Sequence, residues 1–131
     1  ELHGNMWKGR CTRCGRMVDL PKTPLESLPP YCVCGNALRP HVVQFGEAID
    51  PIVLSAAFDA SSRSELFLVI GTSGVVSPAS QMPIIALEHG ARIVEINPTE
   101  TVLTPYMGLS IRGKAAEVLP RFWKELVGST K

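Results

Sequence analysis

The pattern of hydrophobic positions centres on an unbroken apolar run that leads directly into a loop of small residues. The run is Leu-Phe-Leu-Val-Ile at 66–70, and Gly-Thr-Ser-Gly follows at 71–74. A strand with one face in water alternates apolar and polar residues, whereas an unbroken run is typical of a parallel strand covered on both faces. Because open α/β sheets bind ligands at the carboxyl ends of their strands, the loop at 71–74 is a candidate ligand site.

The remaining pattern predicts helices and strands in alternation. The predicted strands are 66–70, 91–96 and 109–112. A capping residue followed by proline predicts that helices begin at Asp50-Pro51 and at Ser77-Pro78, and Gly90 predicts the end of the second helix. A last helix is predicted over 113–126, and Pro120 does no harm there if it lies in the first turn, where N–H groups lack intrahelical partners. Strands separated by such helices form βαβ units, so we predict an α/β fold with a partial Rossmann-like parallel sheet.

The run at 66–70 would lie at the edge of a sheet of only three strands. A flat apolar edge with no Pro or Lys to protect it is a template for aggregation. We therefore expect a further strand beside it, supplied by chain outside these residues. The first residue is Glu1 rather than Met, and we interpret that start as a cut.

Composition and charge exclude some classes of protein but do not indicate a particular function. The chain has 131 residues, an apolar fraction of 45% and a charged fraction of 19%, which are typical of a folded domain. Its net charge of +1 gives no reason to expect nucleic acid or an anionic membrane as partner. No apolar run approaches the ~20 residues that span a bilayer, and no signal peptide is visible, so we expect a cytoplasmic protein.

Residues 11–35 carry all four cysteines in two close pairs. The cysteines are Cys11, Cys14, Cys32 and Cys34. A glycine follows each pair, as suits a tight metal-binding knuckle, and the prolines between the pairs predict a loop-rich insert. This spacing predicts a structural zinc ribbon in which four thiolates close the coordination sphere. Two disulfides are the alternative, and so is replacement of one sulfur by His41.

Two polar turns and two histidines carry the remaining candidate chemistry. The loop at 71–74 lacks the glycine of a nucleophile elbow and the Gly-Lys-Ser/Thr of a phosphate-binding loop, so it is either a nucleotide contact or a tight turn. Asn97 follows the next strand and either stabilises its own turn or hydrogen-bonds a ribose hydroxyl. His89, near the end of a helix, is interpreted as a partner of the helix dipole. His3 by itself would have no assigned role.

The pieces taken together resemble the carboxyl-terminal half of a sirtuin of bacterial type. The ordered blocks are Glu1-Leu2-His3-Gly4, the paired cysteines, Arg39 to Glu47, Gly71 to Ala79, Ile96-Asn97 and Gly113-Lys114-Ala115. Sirtuins are NAD-dependent protein lysine deacylases, which release nicotinamide and acyl-ADP-ribose. The resemblance implies NAD as co-substrate, one structural Zn²⁺ and an acyl-lysine protein or peptide as substrate.

The resemblance also implies a role for each matching residue. His3 matches the catalytic base, and imidazole suits proton transfer near neutral pH. Val43, Phe45, Gly46 and Glu47 match the segment that binds the substrate. Gly71, Thr72, Ser73, Asn97 and Ala115 match contacts to NAD, and Cys11, Cys14, Cys32 and Cys34 match the zinc ligands.

The resemblance finally implies how the chain is divided and what it lacks. We expect residues 1–10 and 36–131 to form a partial NAD-binding domain, with 11–35 as the zinc-ribbon insert. The family's Gly-Ala-Gly-Ile-Ser and Gln-Asn-Ile-Asp segments are not present, so we expect the isolated chain to be inactive and to need the amino-terminal half of the same domain. The alternatives are a zinc-ribbon interaction module without catalysis and NAD-dependent ADP-ribosyl transfer.

Overall fold

The computed structural model describes residues 1–20, 24–25 and 27–128. The chain divides into two compact units, Glu1–Leu54 and Ser55–Lys131. Each unit has its own small sheet, so each is described by itself. Among the described residues, no helix combines the length and apolar character that crossing a membrane requires.

The first unit contains an antiparallel sheet of three strands. The strands are β1 (Gly4–Cys11), β2 (Met17–Asp19) and β3 (Leu38–Val42) in the order β2-β1-β3. The pairing of β1 with β3 shifts its register between Asn5 and Gly9. A small core of Cys11, Cys32 and Leu38, with Leu20 against it, lies where the cysteine pairs meet the sheet.

The second unit contains the parallel sheet that the sequence predicts. Its strands are β4 (Leu66–Ile70), β5 (Arg92–Asn97) and β6 (Leu109–Arg112) in the order β4-β5-β6. All pairings are parallel, with Ile70 opposite Ile96 and Glu95 opposite Ser110. The α-helices of the described chain are α1 (Pro51–Ser62), whose first turn still belongs to the first unit, α2 (Met82–Glu88) and α3 (Ala115–Gly128). Every predicted strand of this sheet is therefore present, and the bounds of β4 and β6 are those predicted.

The core of the second unit lies around β5. Ile93 and Ile96 are 1% and 0% exposed, as expected of a central strand covered on both faces. Val69, Ala86, Ala91, Ile93 and Leu103 form one buried cluster. β4 lies at one edge of the described sheet, and four of its five residues are only half-buried.

The helix predicted to begin at Ser77-Pro78 begins later than expected. A 3-10 turn over Ala79–Gln81 comes first, and α2 begins at Met82. The Ser77 hydroxyl does not cap the helix, because it accepts a hydrogen bond of 2.8 Å from the Gln81 side-chain amide. The prediction was wrong because a hydroxyl before a proline is equally suited to a turn.

The other helix predictions hold, and the condition set for Pro120 is not met. At Asp50-Pro51 the Asp50 carboxylate accepts a hydrogen bond of 2.8 Å from the Ile52 N–H, which is the expected cap. α2 ends at Glu88 with His89 as its C-cap, and Gly90 follows with a left-handed φ of 89°. Pro120 lies inside α3 beyond its first turn, because the N–H groups of Glu117 and Val118 already donate to the Lys114 carbonyl.

Candidate functional site

The four cysteines form one cluster in the first unit. Their sulfur atoms all lie within 4.8 Å of one another, with 3.5 Å between Cys11 and Cys34 and 3.7 Å between Cys14 and Cys32. Cys11 and Cys32 are buried, whereas Cys14 and Cys34 are exposed. A compact group of four thiols is the donor set of a structural zinc site, which leaves no open position for catalysis.

Backbone N–H groups prepare the cluster for metal. The N–H groups of Cys14 and Arg13 point at the Cys11 sulfur from 3.4 Å and lower the pKa of this thiol to about 6. An N–H group of Asn36 favours the thiolate of Cys34, but the neighbouring sulfurs of Cys11 and Cys32 outweigh it and raise its pKa to about 11. Four sulfurs this close cannot all be thiolates without a cation between them.

The geometry favours the zinc ribbon over the two alternatives, which are disulfides and replacement of one sulfur by His41. All four cysteines are free, and sulfur separations of 3.5 and 3.7 Å are far from the ~2.05 Å of a disulfide. The ligand cluster consists of cysteines alone and does not include His41. Gly15 and Gly35 follow the pairs with φ of 71° and 80°, the left-handed conformation that tight knuckles require.

The backbone joins His3 to the predicted substrate segment. The Val43 N–H donates to the His3 carbonyl at 2.9 Å, which continues the ladder of β1 and β3 by one pair. Gly4 makes this approach possible, because its φ is 83° and a Cβ there would lie 2.1 Å from the His41 carbonyl oxygen. His3 is thus held at a fixed place beside Val43, and its side chain is exposed.

An ion pair shapes the predicted substrate segment itself. The Arg39 guanidinium binds both carboxylate oxygens of Glu47, and its Nη2 also donates to the Val42 carbonyl at 3.1 Å. The carboxylate accepts a further bond of 3.0 Å from the Gln44 N–H. Hydrogen bonding to Arg39 and to this N–H lowers the pKa of Glu47 to about 2. Phe45, between these anchors, is 94% exposed.

A crevice of about 520 Å³ opens at the carboxyl ends of β4 and β5 in the second unit. One wall comes from the loop after β4 and the other from the segment after β5. The lining residues are Gly71, Thr72, Ser73, Val75, Asn97, Thr99, Glu100, Thr101 and Val102. The volume is within the range of about 300–1,000 Å³ that small-molecule sites occupy.

The two glycines of the loop after β4 have different surroundings. Both are left-handed, with φ of 60° at Gly71 and 68° at Gly74. A Cβ on Gly71 would meet nothing within 4 Å, so a ligand has room to approach its backbone. A Cβ on Gly74 would lie 2.5 Å from the Leu103 Cδ1, because Gly74 packs onto the segment that carries the other wall.

Asn97 stabilises its own turn and also faces the crevice. Its side-chain amide donates to the Thr99 carbonyl at 3.0 Å, and its backbone carbonyl accepts the Gly113 N–H at 3.3 Å. Asn97 is therefore fixed at the point where β5 ends and the second wall begins. Ala115, the first residue of α3, is not among the described residues that line the crevice.

The sequence did not predict the second wall of the crevice or the buried glutamate next to it. The wall residues Thr99 to Val102 were not predicted, nor was Glu95, a carboxylate buried in β5. The sequence does contain a signal for Glu95, since a lone acidic residue stands inside the apolar run 93–96 of a predicted strand. Its partners lie up to 17 residues away in Arg112, so the pattern alone does not connect them.

Comparison with known proteins identifies the family. A family model described as the Sir2 family matches residues 1–78, which is more than half of the chain. The chain belongs to the Sir2 family. The resemblance to sirtuins found in the sequence is therefore confirmed.

Relatives in the Sir2 family match nearly the whole chain. NAD-dependent protein deacylase 2 of Pyrobaculum aerophilum is 49% identical over 127 residues, which are 96% of this chain and 51% of that protein. NAD-dependent protein deacylase of Aquifex aeolicus is 44% identical over 127 residues, 96% of this chain and 53% of that protein. The chain spans about half the length of the curated relatives it matches.

Solved structures of the Sir2 family have the same fold. The crystal structure of a Sir2 homolog–NAD complex superposes with a TM-score of 0.87 at 41% identity, over 100% of this chain and 52% of that chain. A complex of Sir2 with a p53 peptide and NAD⁺ gives a TM-score of 0.81 at 33% identity, over 99% and 55%. The predicted α/β fold with a partial Rossmann-like sheet and a zinc-ribbon module is confirmed.

Proposed function

We propose that this chain forms part of an NAD-dependent protein lysine deacylase of the deacetylase type, which releases nicotinamide and acyl-ADP-ribose. The observation that carries the proposal is the crevice at the carboxyl ends of β4 and β5. Its first wall contains Gly71, Thr72 and Ser73, and Asn97 begins the second. These are residues for which the sirtuin resemblance implies NAD contacts, and sheets of this class bind nucleotides at such an edge. Ala115 completes the proposed NAD-binding set from the start of α3.

Gly71 supports the proposal by its backbone. Its left-handed conformation and the open space around it let a phosphate approach the loop. Its own N–H donates to the Ile96 carbonyl at 2.9 Å, which fixes the start of the loop at the end of β4. Thr72 holds the loop in shape, because its hydroxyl accepts the Gly74 N–H at 3.2 Å. When bound, NAD would supply the ribose carbon from which the acyl-lysine carbonyl oxygen displaces nicotinamide.

His3 is proposed as the general base that accepts a proton from a ribose hydroxyl. Its support is the hydrogen bond between its carbonyl and the Val43 N–H, which joins it to the proposed substrate segment of Val43, Phe45, Gly46 and Glu47. In that segment the Arg39–Glu47 pair holds the turn while Phe45 remains exposed for contact. The same arrangement suits an acyl-lysine peptide that pairs with the backbone of this segment.

The four cysteines are proposed to hold one structural zinc ion. Zinc would tie the strand end at Cys11 to the second knuckle and so fix the sheet that carries His3 and Val43. We retain the proposal that 11–35 is an insert in a domain formed by 1–10 and 36–131.

Two further proposals concern chain outside these residues. The apolar edge of β4 is proposed to pair with a strand from the amino-terminal half of the same domain. Residues 1–131 alone are proposed not to turn over substrate, because they contain neither the Gly-Ala-Gly-Ile-Ser nor the Gln-Asn-Ile-Asp segment. A cytoplasmic location, like transferase-type consumption of NAD, remains part of the proposal.

The test uses the full-length protein with NAD and an acetyl-lysine peptide. We expect release of nicotinamide together with a deacetylated peptide, and loss of both in His3→Ala. The matched control is His89→Ala, since the His89 ring lies at the end of α2 and hydrogen-bonds the Ile85 carbonyl at 2.8 Å. Turnover that persists in His3→Ala would exclude this residue as the base.

Mass spectrometry of the products separates the alternative activities. Deacylation yields free lysine and acyl-ADP-ribose, whereas ADP-ribosyl transfer leaves the acyl group in place and adds ADP-ribose to a protein. A zinc-ribbon interaction module would yield neither product, and its partner binding would survive loss of His3, Ser73 and Asn97.

A further inference from the structure

Glu95 is a buried carboxylate with no part in the proposed chemistry. It lies in the central strand β5 between Val94 and Ile96 and is 1% exposed. Within the described residues, it is the one charged side chain that is buried. A buried charge is costly unless it is paired and fully hydrogen-bonded, so its partners show what the fold uses it for.

Four side chains donate to this carboxylate. The hydroxyl groups of Thr101 and Thr104 donate at 2.6 and 2.8 Å. Ser110 donates at 3.2 Å from the neighbouring strand, and Arg112 pairs with it at 2.9 Å. Burial alone would raise the pKa of Glu95, but these donors outweigh it and lower the pKa, so the group is ionised.

Three of these four donors also hold the backbone of the segment after β5. The Thr101 hydroxyl, while donating to Glu95, accepts the Leu103 N–H at 3.1 Å. The Thr104 hydroxyl likewise accepts the Thr101 N–H at 2.8 Å. Arg112, paired with the carboxylate, donates to the Thr99 carbonyl at 2.8 Å. Each link runs from the buried charge to a backbone group of residues 99–103.

This segment is the second wall of the crevice. Thr99, Glu100, Thr101 and Val102 line it, and Leu103 anchors its far end in the core beneath Gly74. We infer that Glu95 is a positioning residue that fixes the wall at 99–102 and thereby sets the affinity of the crevice for the dinucleotide. This inference deepens the proposed function and rests on it for the identity of the ligand.

The test compares Glu95→Gln with the full-length wild-type protein. Glutamine keeps the shape of the side chain but removes the charge to which the four groups donate. Its NH₂ group, which is itself a donor, also replaces one of the two accepting oxygens. We expect the KM for NAD and the Kd for ADP-ribose to rise about tenfold, a change of about 1.4 kcal/mol. The kcat and the KM for the acetyl-lysine peptide should stay within about twofold, because no reacting group is altered.

Amide hydrogen exchange without ligand gives a second readout. Residues 99–104 should exchange faster in Glu95→Gln, whereas β4 should not change. Thr104→Val is a milder variant, since Thr104 binds the carboxylate but is not among the residues lining the crevice, and we expect a smaller effect of the same kind. The matched control is Glu65→Gln, an exposed glutamate before β4, which should match wild type throughout.

Two results would overturn the inference. One is wild-type affinity for ADP-ribose in both Glu95→Gln and Thr104→Val, with unchanged exchange at 99–104. The other is a loss of kcat at unchanged KM for NAD, since the carboxylate would then act on the chemistry. A wild-type protein that binds ADP-ribose but does not deacylate would overturn the proposed function alone. The inference about Glu95 would still be decided by the affinities for ADP-ribose and by amide hydrogen exchange at residues 99–104.

Discussion

The contact between Gly74 and Leu103 makes a quantitative prediction about the packing beneath the crevice. Gly74→Ala places a methyl group 2.5 Å from the Leu103 Cδ1 in a left-handed backbone. The backbone conformation alone costs a residue with a Cβ about 1–2 kcal/mol. Forcing a methyl group into a packed core costs about 1–3 kcal/mol more. We therefore expect Gly74→Ala to lower the free energy of unfolding by about 2–5 kcal/mol.

Gly71→Ala is the matched comparison, because it isolates the backbone term. Its φ of 60° is nearly that of Gly74, but its Cβ would meet nothing within 4 Å. We expect a loss of only about 1–2 kcal/mol in the free energy of unfolding. The added methyl group would, however, point into open space at the crevice, so affinity for ADP-ribose should fall in this variant.

Urea unfolding of the full-length, zinc-loaded proteins measures the difference, and Leu103→Ala completes a double-mutant cycle. Once Leu103 is shortened, Gly74→Ala should cost only the backbone term of about 1–2 kcal/mol. Equal losses in Gly74→Ala and Gly71→Ala would refute the argument. So would a cost of Gly74→Ala that is unchanged in the Leu103→Ala background.

Two further predictions concern the first unit. Cys14→Ser should abolish binding of one equivalent of zinc in the full-length protein. Removal of zinc by a chelator should expose the amides of β1 and β3 to hydrogen exchange, and adding Zn²⁺ but not Mg²⁺ should restore their protection. Glu47→Gln should lower stability at neutral pH, because the pKa of Glu47 is lowered from 4.5 to about 2 in the folded protein. A lowered pKa stabilises the fold above the unfolded-state value and ceases to do so as pH falls through the folded-state value, so urea unfolding should show the two proteins converging between about pH 4.5 and 2.

Each of these predictions has a result that contradicts it. Stoichiometric zinc in Cys14→Ser would mean that the ligand set is not the four cysteines. For Glu47, the control is Glu117→Gln, whose carboxylate lies 3.9 Å from Lys114 on the surface and should have little effect at any pH. A stability difference for Glu47→Gln that stays constant down to pH 2 would exclude the pairing with Arg39 as its cause.

The sequence pattern was sufficient to predict the elements that are determined by neighbouring residues in the chain. β4 and β6 were predicted at their observed bounds, because the pattern that defines each strand lies within its own few residues. β4 is an unbroken apolar run ended by Gly71, and β6 alternates apolar and polar residues between Gly108 and Gly113. The cysteine cluster was predicted for the same reason, since spacing and the glycines at 15 and 35 already describe both knuckles. The start of α2 was not predicted, since Ser77 is satisfied by the Gln81 side chain rather than by the helix.

The crevice shows where local pattern stops being sufficient. Gly71 and Gly74 are the same residue type, in the same loop, with nearly the same φ. One faces open space and the other covers Leu103, which is 29 residues further along the chain. The sequence predicts the loop as a candidate ligand site but does not distinguish the glycine that faces the open crevice from the glycine that packs onto Leu103.

Glu95 extends this argument from packing to charge. An acidic residue in β5 breaks the rule that a buried strand consists of apolar residues. Such exceptions mark positions where groups from a distant part of the chain pair with the buried charge. Here the compensation comes from Thr101, Thr104, Ser110 and Arg112, all of which lie after the strand in sequence. Three of those groups, Thr101, Thr104 and Arg112, also hold one wall of the crevice. The exception to the strand pattern therefore joins the fold of this unit to its proposed ligand site.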